Sequence, residues 1–134
     1  MRGIAALCLL LALTCSAPAH LKHRPDLTEW LRTLYSQRSP CCDSTEAETM
    51  ADPDWRIAED KNECLPSERW ALAAAESFHV CARLQDQNGE YKWWQVPVSA
   101  IVQTGNKAGP ALIWMYWAAS GKPFIRCFLP GTLT

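Results

Sequence analysis

Two adjacent cysteines, Cys41 and Cys42, follow Pro40 in the stretch SQRSPCCDSTE, and with Cys64, Cys81 and Cys127 they constrain this chain more than any other feature. Cysteines in such a pattern serve as disulfide anchors, as a redox pair or as metal ligands. Neighbouring side chains of an extended segment point in opposite directions, so each of the pair can reach a different partner, which suits anchoring. Cys127 is expected to face inward from the last strand, whereas Cys41 and Cys42 lie just after the first helix. A bridge between these regions would staple both ends of the fold together. Closing a loop of that length restricts the unfolded chain by about 4 to 5 kcal/mol. Cys64 and Cys81 can pair with each other, or one can take the second half of the dipeptide. Of the seven cysteines, Cys8 and Cys15 lie in the first 19 residues; the five beyond them leave one thiol over, and the connectivity stays open.

The rival chemistries fit less well. Redox dithiols are separated by two residues and sit at a helix N-terminus, which lowers the thiol pKa; PCCD does neither, and a bridge between adjacent residues needs a strained ring. His79 and Cys81 would share a strand face at a separation too wide for a nucleophile and its base. Structural zinc sites need paired Cys-x-x-Cys or His-x-x-x-His spacings, and neither occurs. A looser copper option would combine the amine and imidazole of His20, exposed by cleavage, with His23; a solvated terminus accounts for HLKHRP equally simply. The acidic residues Asp43, Glu46, Glu48, Asp52 and Asp54 lack the alternation and turn glycine of a calcium loop. No catalytic residue, metal or cofactor is assigned.

The opening MRGIAALCLLLALTCSAPAH has a charged start at Arg2, an apolar run from Ile4 to Leu13 and the small-residue pattern Ala17-Pro18-Ala19. This is the pattern of an export signal, residues 1–19, cleaved after Ala19; its apolar run is well short of the roughly 20 residues that cross a bilayer. Residues 20–134 are then expected as a single disulfide-stabilised domain, periplasmic or secreted, with no membrane span. Thirteen Lys and Arg against 14 Asp and Glu give a net charge of −1, and the basic residues are scattered, so the footprint of a nucleic-acid binder is missing.

Along the chain, PDLTEWLRTLYSQ predicts a helix capped by Asp26, with Leu27, Trp30, Leu31, Leu34 and Tyr35 on one face. A short strand is expected around DWRIA, and a second helix capped by Ser67 over LPSERWALAAAES. FHVCARL and YKWWQV flank Asn88-Gly89, the preferred centre of a two-residue hairpin turn. That turn would set Leu84 across from Trp93 and Arg83 across from Trp94, with Phe78, Val80, Ala82, Leu84, Tyr91 and Trp93 on the core face. ALIWMYW and FIRCFLP form a second hairpin around Ser120-Gly121, pairing Trp114 with Cys127 and Tyr116 with Ile125. The predicted fold class is α+β: an N-terminal helix on a small, strongly twisted antiparallel sheet or partly closed barrel.

Seven tryptophans are many for 134 residues. Trp30, Trp93 and Trp114 fall on predicted core faces, while Trp94 and Trp117 project to the opposite sides of their strands. Either a second layer such as the ERWALAAAES helix covers them, which is the commoner outcome for such residues, or with Arg83 and Arg126 beside them they form an aromatic surface of the kind that binds glycans or proteins. PCCD, DPDW, the W-x-x-VP of Trp93 to Pro97 and the closing IRCFLPG together resemble a group of small exported alphaproteobacterial proteins of no established activity. The resemblance runs from about Ser39 to Gly131; the segment Glu59 to Ser77, with Cys64, is longer than the group's pattern, and Cys81 departs from it. It implies export and a single domain, and carries no site residues. The sequence thus favours a non-catalytic binding or accessory module for a protein or glycan ligand of the cell envelope. The alternatives are a thiol- or metal-dependent periplasmic enzyme and an inhibitor of an envelope hydrolase.

Overall fold

The computed structural model describes residue 21 and residues 24–41, 47–60, 62–68 and 78–132, with the backbone alone for residues 78 and 79. The expected export signal, Cys42, His20, His23 and the helix expected beyond Glu68 lie outside the described residues. Among the described residues six strands carry the fold: β1 (Glu48–Met50), β2 (Trp55–Ile57), β3 (Phe78–Gln85), β4 (Tyr91–Pro97), β5 (Ala111–Trp117) and β6 (Pro123–Leu129). They form two three-stranded antiparallel sheets, ordered β1-β5-β6 and β2-β3-β4.

The predicted N-terminal helix shrinks to a 3-10 turn over Pro25–Leu27 and one α-helical turn, α1 (Thr28–Leu31). A continuing helix would bond the Arg38 N–H to the Leu34 carbonyl. Instead Cys41 N donates to that carbonyl at 3.0 Å, Ser36 N donates to the Ser39 carbonyl at 3.1 Å, and Arg38 N turns to Ser36 Oγ. The chain doubles back there and returns Cys41 beneath Leu34. The tertiary bond overrides the local helical pattern, and Tyr35, expected on the buried stripe, is 61 % exposed.

The first sheet is covered on both faces. Alternation along β5 and β6 sends Leu112, Trp114, Cys127 and Leu129 towards Leu27, Leu31, Leu34 and Cys41 of the N-terminal segment. Ala111, Ile113, Ile125 and Phe128 go the other way, against Trp55, Val80, Ala82, Leu84, Trp94 and Val96 of the second sheet. Trp55 meets Phe128 edge to face, with ring centroids 5.8 Å apart. The fold is therefore mostly sheet, two layers plus a short N-terminal cover, and not a helix on a closed barrel.

The outer edge of β6 is closed by three separate segments. Glu68 N donates to the Pro123 carbonyl, Ser36 Oγ to that of Arg126, and Val102 N to that of Phe128, at 2.8 to 2.9 Å. Acceptors that would otherwise recruit a foreign strand are thereby used.

Both hairpins close on three residues where two were expected. In β3–β4, Asp86 N donates to the Glu90 carbonyl, Gly89 N donates to the Asp86 carbonyl, and Gly89 sits at φ +84°. In β5–β6, Ala118 N and Gly121 N make the equivalent bonds, with Gly121 at φ +78°. This is a type I turn followed by a left-handed residue, a conformation glycine adopts at no steric cost. The extra loop residue shifts the register of β3–β4 by one: Arg83 lies across from Trp93, Ala82 from Trp94 and Leu84 from Lys92. In β5–β6 an irregularity between Trp114 and Met115 absorbs it, so Trp114 does pair with Cys127, while Tyr116 pairs with Phe124 and not with Ile125. Tyr116 is accordingly 46 % exposed, stacked on Phe124 at 4.9 Å between ring centroids.

Candidate binding surface

A one-residue change of register exchanges the faces of a strand, and here it decides which tryptophan meets solvent. Trp94 points into the core, 6 % exposed, and Trp117 packs against it edge to face with centroids 5.9 Å apart. The surface expected from Trp94 and Trp117 is thus an interior contact. Arg126 lies half-buried on β6, in the other sheet from Arg83. Arg83 keeps its outward position, but its neighbour across the ladder is Trp93.

The outer face of β2-β3-β4 carries an ordered set of side chains instead. Tyr91 and Trp93 are two residues apart on β4 and project to the same side. The Arg83 guanidinium lies over the Tyr91 ring, 4.6 Å from its centroid, and that of Arg56, reaching from β2, lies over Trp93 at 4.4 Å. Each arginine also has a carboxylate neighbour: Arg83 Nη1 donates to Asp54 Oδ1 at 3.3 Å, and Arg56 Nη2 is 3.5 Å from Glu63 Oε2. Tyr91 is 56 % exposed, and both arginine side chains are close to half exposed. Exposed contacts of this kind add about 0.5 to 1 kcal/mol each, enough to hold a guanidinium flat on a ring without removing it from solvent.

Two features hold this face in place. The Cys64–Cys81 disulfide, with Cα atoms 6.0 Å apart, ties the loop before residue 68 to β3, and that loop adds Leu65 beside β4: Leu65 N donates to the Trp93 carbonyl and Gln95 N to that of Leu65, both at 2.8 Å. At the hairpin tip, Asp86 Oδ1 accepts from the backbone N–H of Asn88 and Glu90, and its other oxygen accepts from Lys92 Nζ at 2.6 Å. The Lys92 ammonium, with the two backbone N–H groups, holds the Asp86 carboxyl below the ordinary aspartate range; the Asp86 and Glu90 carboxylates hold Lys92 above the ordinary lysine range.

The second disulfide joins Cys41 to Cys127, 86 residues apart, with Cα atoms at 5.5 Å. It is buried in the cluster around Trp114. The four described cysteines of this framework are thus all bonded, and none offers a thiol. Among the described residues no group of His, Cys, Asp and Glu is arranged to hold a metal ion, and no helix is long and apolar enough to cross a membrane.

The sequence reading places Tyr91 and Trp93 on the core face and gives Arg56 no role; in the structure Tyr91 and Trp93 lie on the outer face, Tyr91 56 % exposed. The signal for the first two was present in Asp86: an aspartate two residues before Asn88 bonds the backbone ahead of it and favours the longer loop over the two-residue turn. Arg56 had no comparable signal, since a three-residue strand shows no periodicity. Neither a protein-family model, nor a curated protein, nor a solved structure matches this chain.

Proposed function

We propose that this chain is a small exported, non-catalytic binding or accessory module whose ligand occupies the outer face of β2-β3-β4. The observation that carries the reading is the pair of arginine–aromatic stacks, Arg83 on Tyr91 and Arg56 on Trp93, on a sheet face that leaves Tyr91 and both arginines exposed. Ordered guanidiniums and exposed rings are the residue types on which binding energy concentrates. Two disulfides support an oxidising compartment, since such bonds are rare in the reducing cytosol. Held by a tied-down loop, the face is built to present side chains.

The test is equilibrium binding by the full chain, purified with both disulfides formed, to a panel of an acidic peptide, a polyuronate, a neutral glycan and anionic phospholipid vesicles. Saturable binding to one of these, lost in the Tyr91→Ala/Trp93→Ala double variant while the melting transition stays cooperative, is the expected result. No saturable binding across the panel, or binding indifferent to the two substitutions, would sink the reading.

A further inference from the structure

We infer that the occupant of this face is an extended polypeptide segment carrying carboxylates at alternating positions, an inference that rests on the binding reading above. The stacks set a repeat. Tyr91 and Trp93 are separated by one residue on a single strand, so their Cα atoms are about 6.8 Å apart along β4, and guanidiniums lie 4.6 and 4.4 Å from the two ring centroids. An extended peptide projects every second side chain to one side with the same repeat, so two acidic residues at positions i and i+2 meet Arg56 and Arg83 in register.

The donors needed for this are on the surface and mostly unspent. A guanidinium carries five N–H donors. Arg83 gives one hydrogen bond, of 3.3 Å, to Asp54, and Arg56 has an ion pair at 3.5 Å with Glu63. The other Glu63 oxygen already accepts from the backbone N–H groups of Glu59 and Asp60, at 2.8 and 2.7 Å. The arginine side chains are 46 % and 44 % exposed, their carboxylate neighbours 28 % and 33 %. Both guanidiniums are somewhat more exposed than their carboxylate neighbours, so an incoming chain meets two outward-facing forks. Because the ring contact and the carboxylate neighbour already restrain each guanidinium, a further carboxylate can pair with it bidentately at reduced ordering cost. The exposed Tyr91 ring offers apolar contact to the methylenes of a glutamate.

The experiment compares two labelled peptides by fluorescence anisotropy against the full chain: one of strictly alternating Glu and Thr, and an isomer with the same residues in two blocks. The alternating peptide is expected to bind about tenfold more tightly. The Arg56→Lys/Arg83→Lys variant keeps both charges but loses both forks, and is expected to lower that affinity by about tenfold or more. Equal affinity for the two peptides, or lysine variants that bind like the parent, would overturn the inference. If a polyuronate or anionic vesicles bind in a Trp93-dependent manner and neither peptide does, this inference fails while the binding reading stands. If no probe binds, both fail.

Discussion

The hairpins β3–β4 and β5–β6 turn through the same three-residue loop, with the same pair of backbone bonds and the same left-handed glycine, yet they differ along their strands. β5–β6 carries an irregularity between Trp114 and Met115, and β3–β4 runs from Val80 to Gln85 without one. The reason lies in what surrounds them. β5–β6 is buried on both faces and bonded through Cys127 to the N-terminal segment, so its far half must present Leu112, Trp114, Cys127 and Leu129 to one layer and Ile113 and Phe128 to the other. The loop's extra residue has to be absorbed before that point. In β3–β4 one face answers to solvent, and the loop sets the register along the strand. A hairpin with one free face can be tuned by its turn; a hairpin enclosed on both faces is set by its packing.

This comparison can be broken most forcefully at the disulfides. Replacing Cys41 and Cys127 by Ser should cost about 4 to 5 kcal/mol, against about 3 kcal/mol for Cys64 and Cys81, because the loops closed differ in length. Denaturant melts of the two double variants measure both. A larger loss from the Cys64–Cys81 pair would mean that the second sheet, and not the first, dominates stability. The adjacent tryptophans give the next test. Trp94→Ala should cost about 3 to 5 kcal/mol, while Trp93→Ala should cost about 1 kcal/mol or less. Trp94→Phe should cost much less than Trp94→Ala, since the ring volume is largely kept and the buried indole N–H it removes has no acceptor among the described residues. Equal losses at positions 93 and 94 would contradict the register of β3–β4.

The glycines sharpen the other half of the comparison. A Cβ at Gly89 would meet Gln85 Nε2 at an ordinary 3.7 Å, and one at Gly121 would meet nothing within 4 Å. Gly89→Ala and Gly121→Ala should therefore each cost about 1 to 2 kcal/mol, from backbone conformation alone. A much smaller cost at either would show that its loop can adopt another turn. The smallest expected effect is on pH. Asp86 is depressed, so its contribution is present above the unfolded aspartate value of about 3.9 and is lost as pH falls through the lower folded value; Lys92 is raised, so its contribution is full below about 10.4 and is lost as pH climbs through the higher folded value. Amide exchange at the β3–β4 tip should quicken, beyond its intrinsic pH dependence, at both extremes. Asp86→Asn should remove the acid limb and leave the β5–β6 tip unchanged.

These particulars explain what could be read from the sequence. Strand positions followed from period-two alternation, and the pairing of Trp114 with Cys127 emerged because the strand irregularity cancels the extra loop residue. The register of β3–β4 did not emerge, because Asn88-Gly89 also suits a two-residue turn and the deciding bonds come from the Asp86 side chain. The helix after Asp26 looked long because Leu27, Leu31 and Leu34 keep helical spacing; the bond from Cys41 to Leu34 that ends it joins residues whose meeting is a tertiary event. Arg83 was legible as an outward residue beside a tryptophan, but the one-residue shift replaces Trp94 by Trp93, and with it the whole candidate surface.

The two disulfides are nested: the Cys64–Cys81 loop lies wholly inside the span closed by Cys41 and Cys127. During synthesis from the N-terminus, Cys41 emerges well before its partner, which is the last cysteine of the chain, so Cys42, Cys64 and Cys81 all become available to it before Cys127 exists. The inner bond can close as soon as residue 81 appears, and by closing it withdraws two competitors from Cys41. The order of oxidation, inner before outer, then becomes a kinetic safeguard for the native connectivity, and a thiol-trapping time course on the nascent chain would display it as a single-bridged species preceding the double-bridged one.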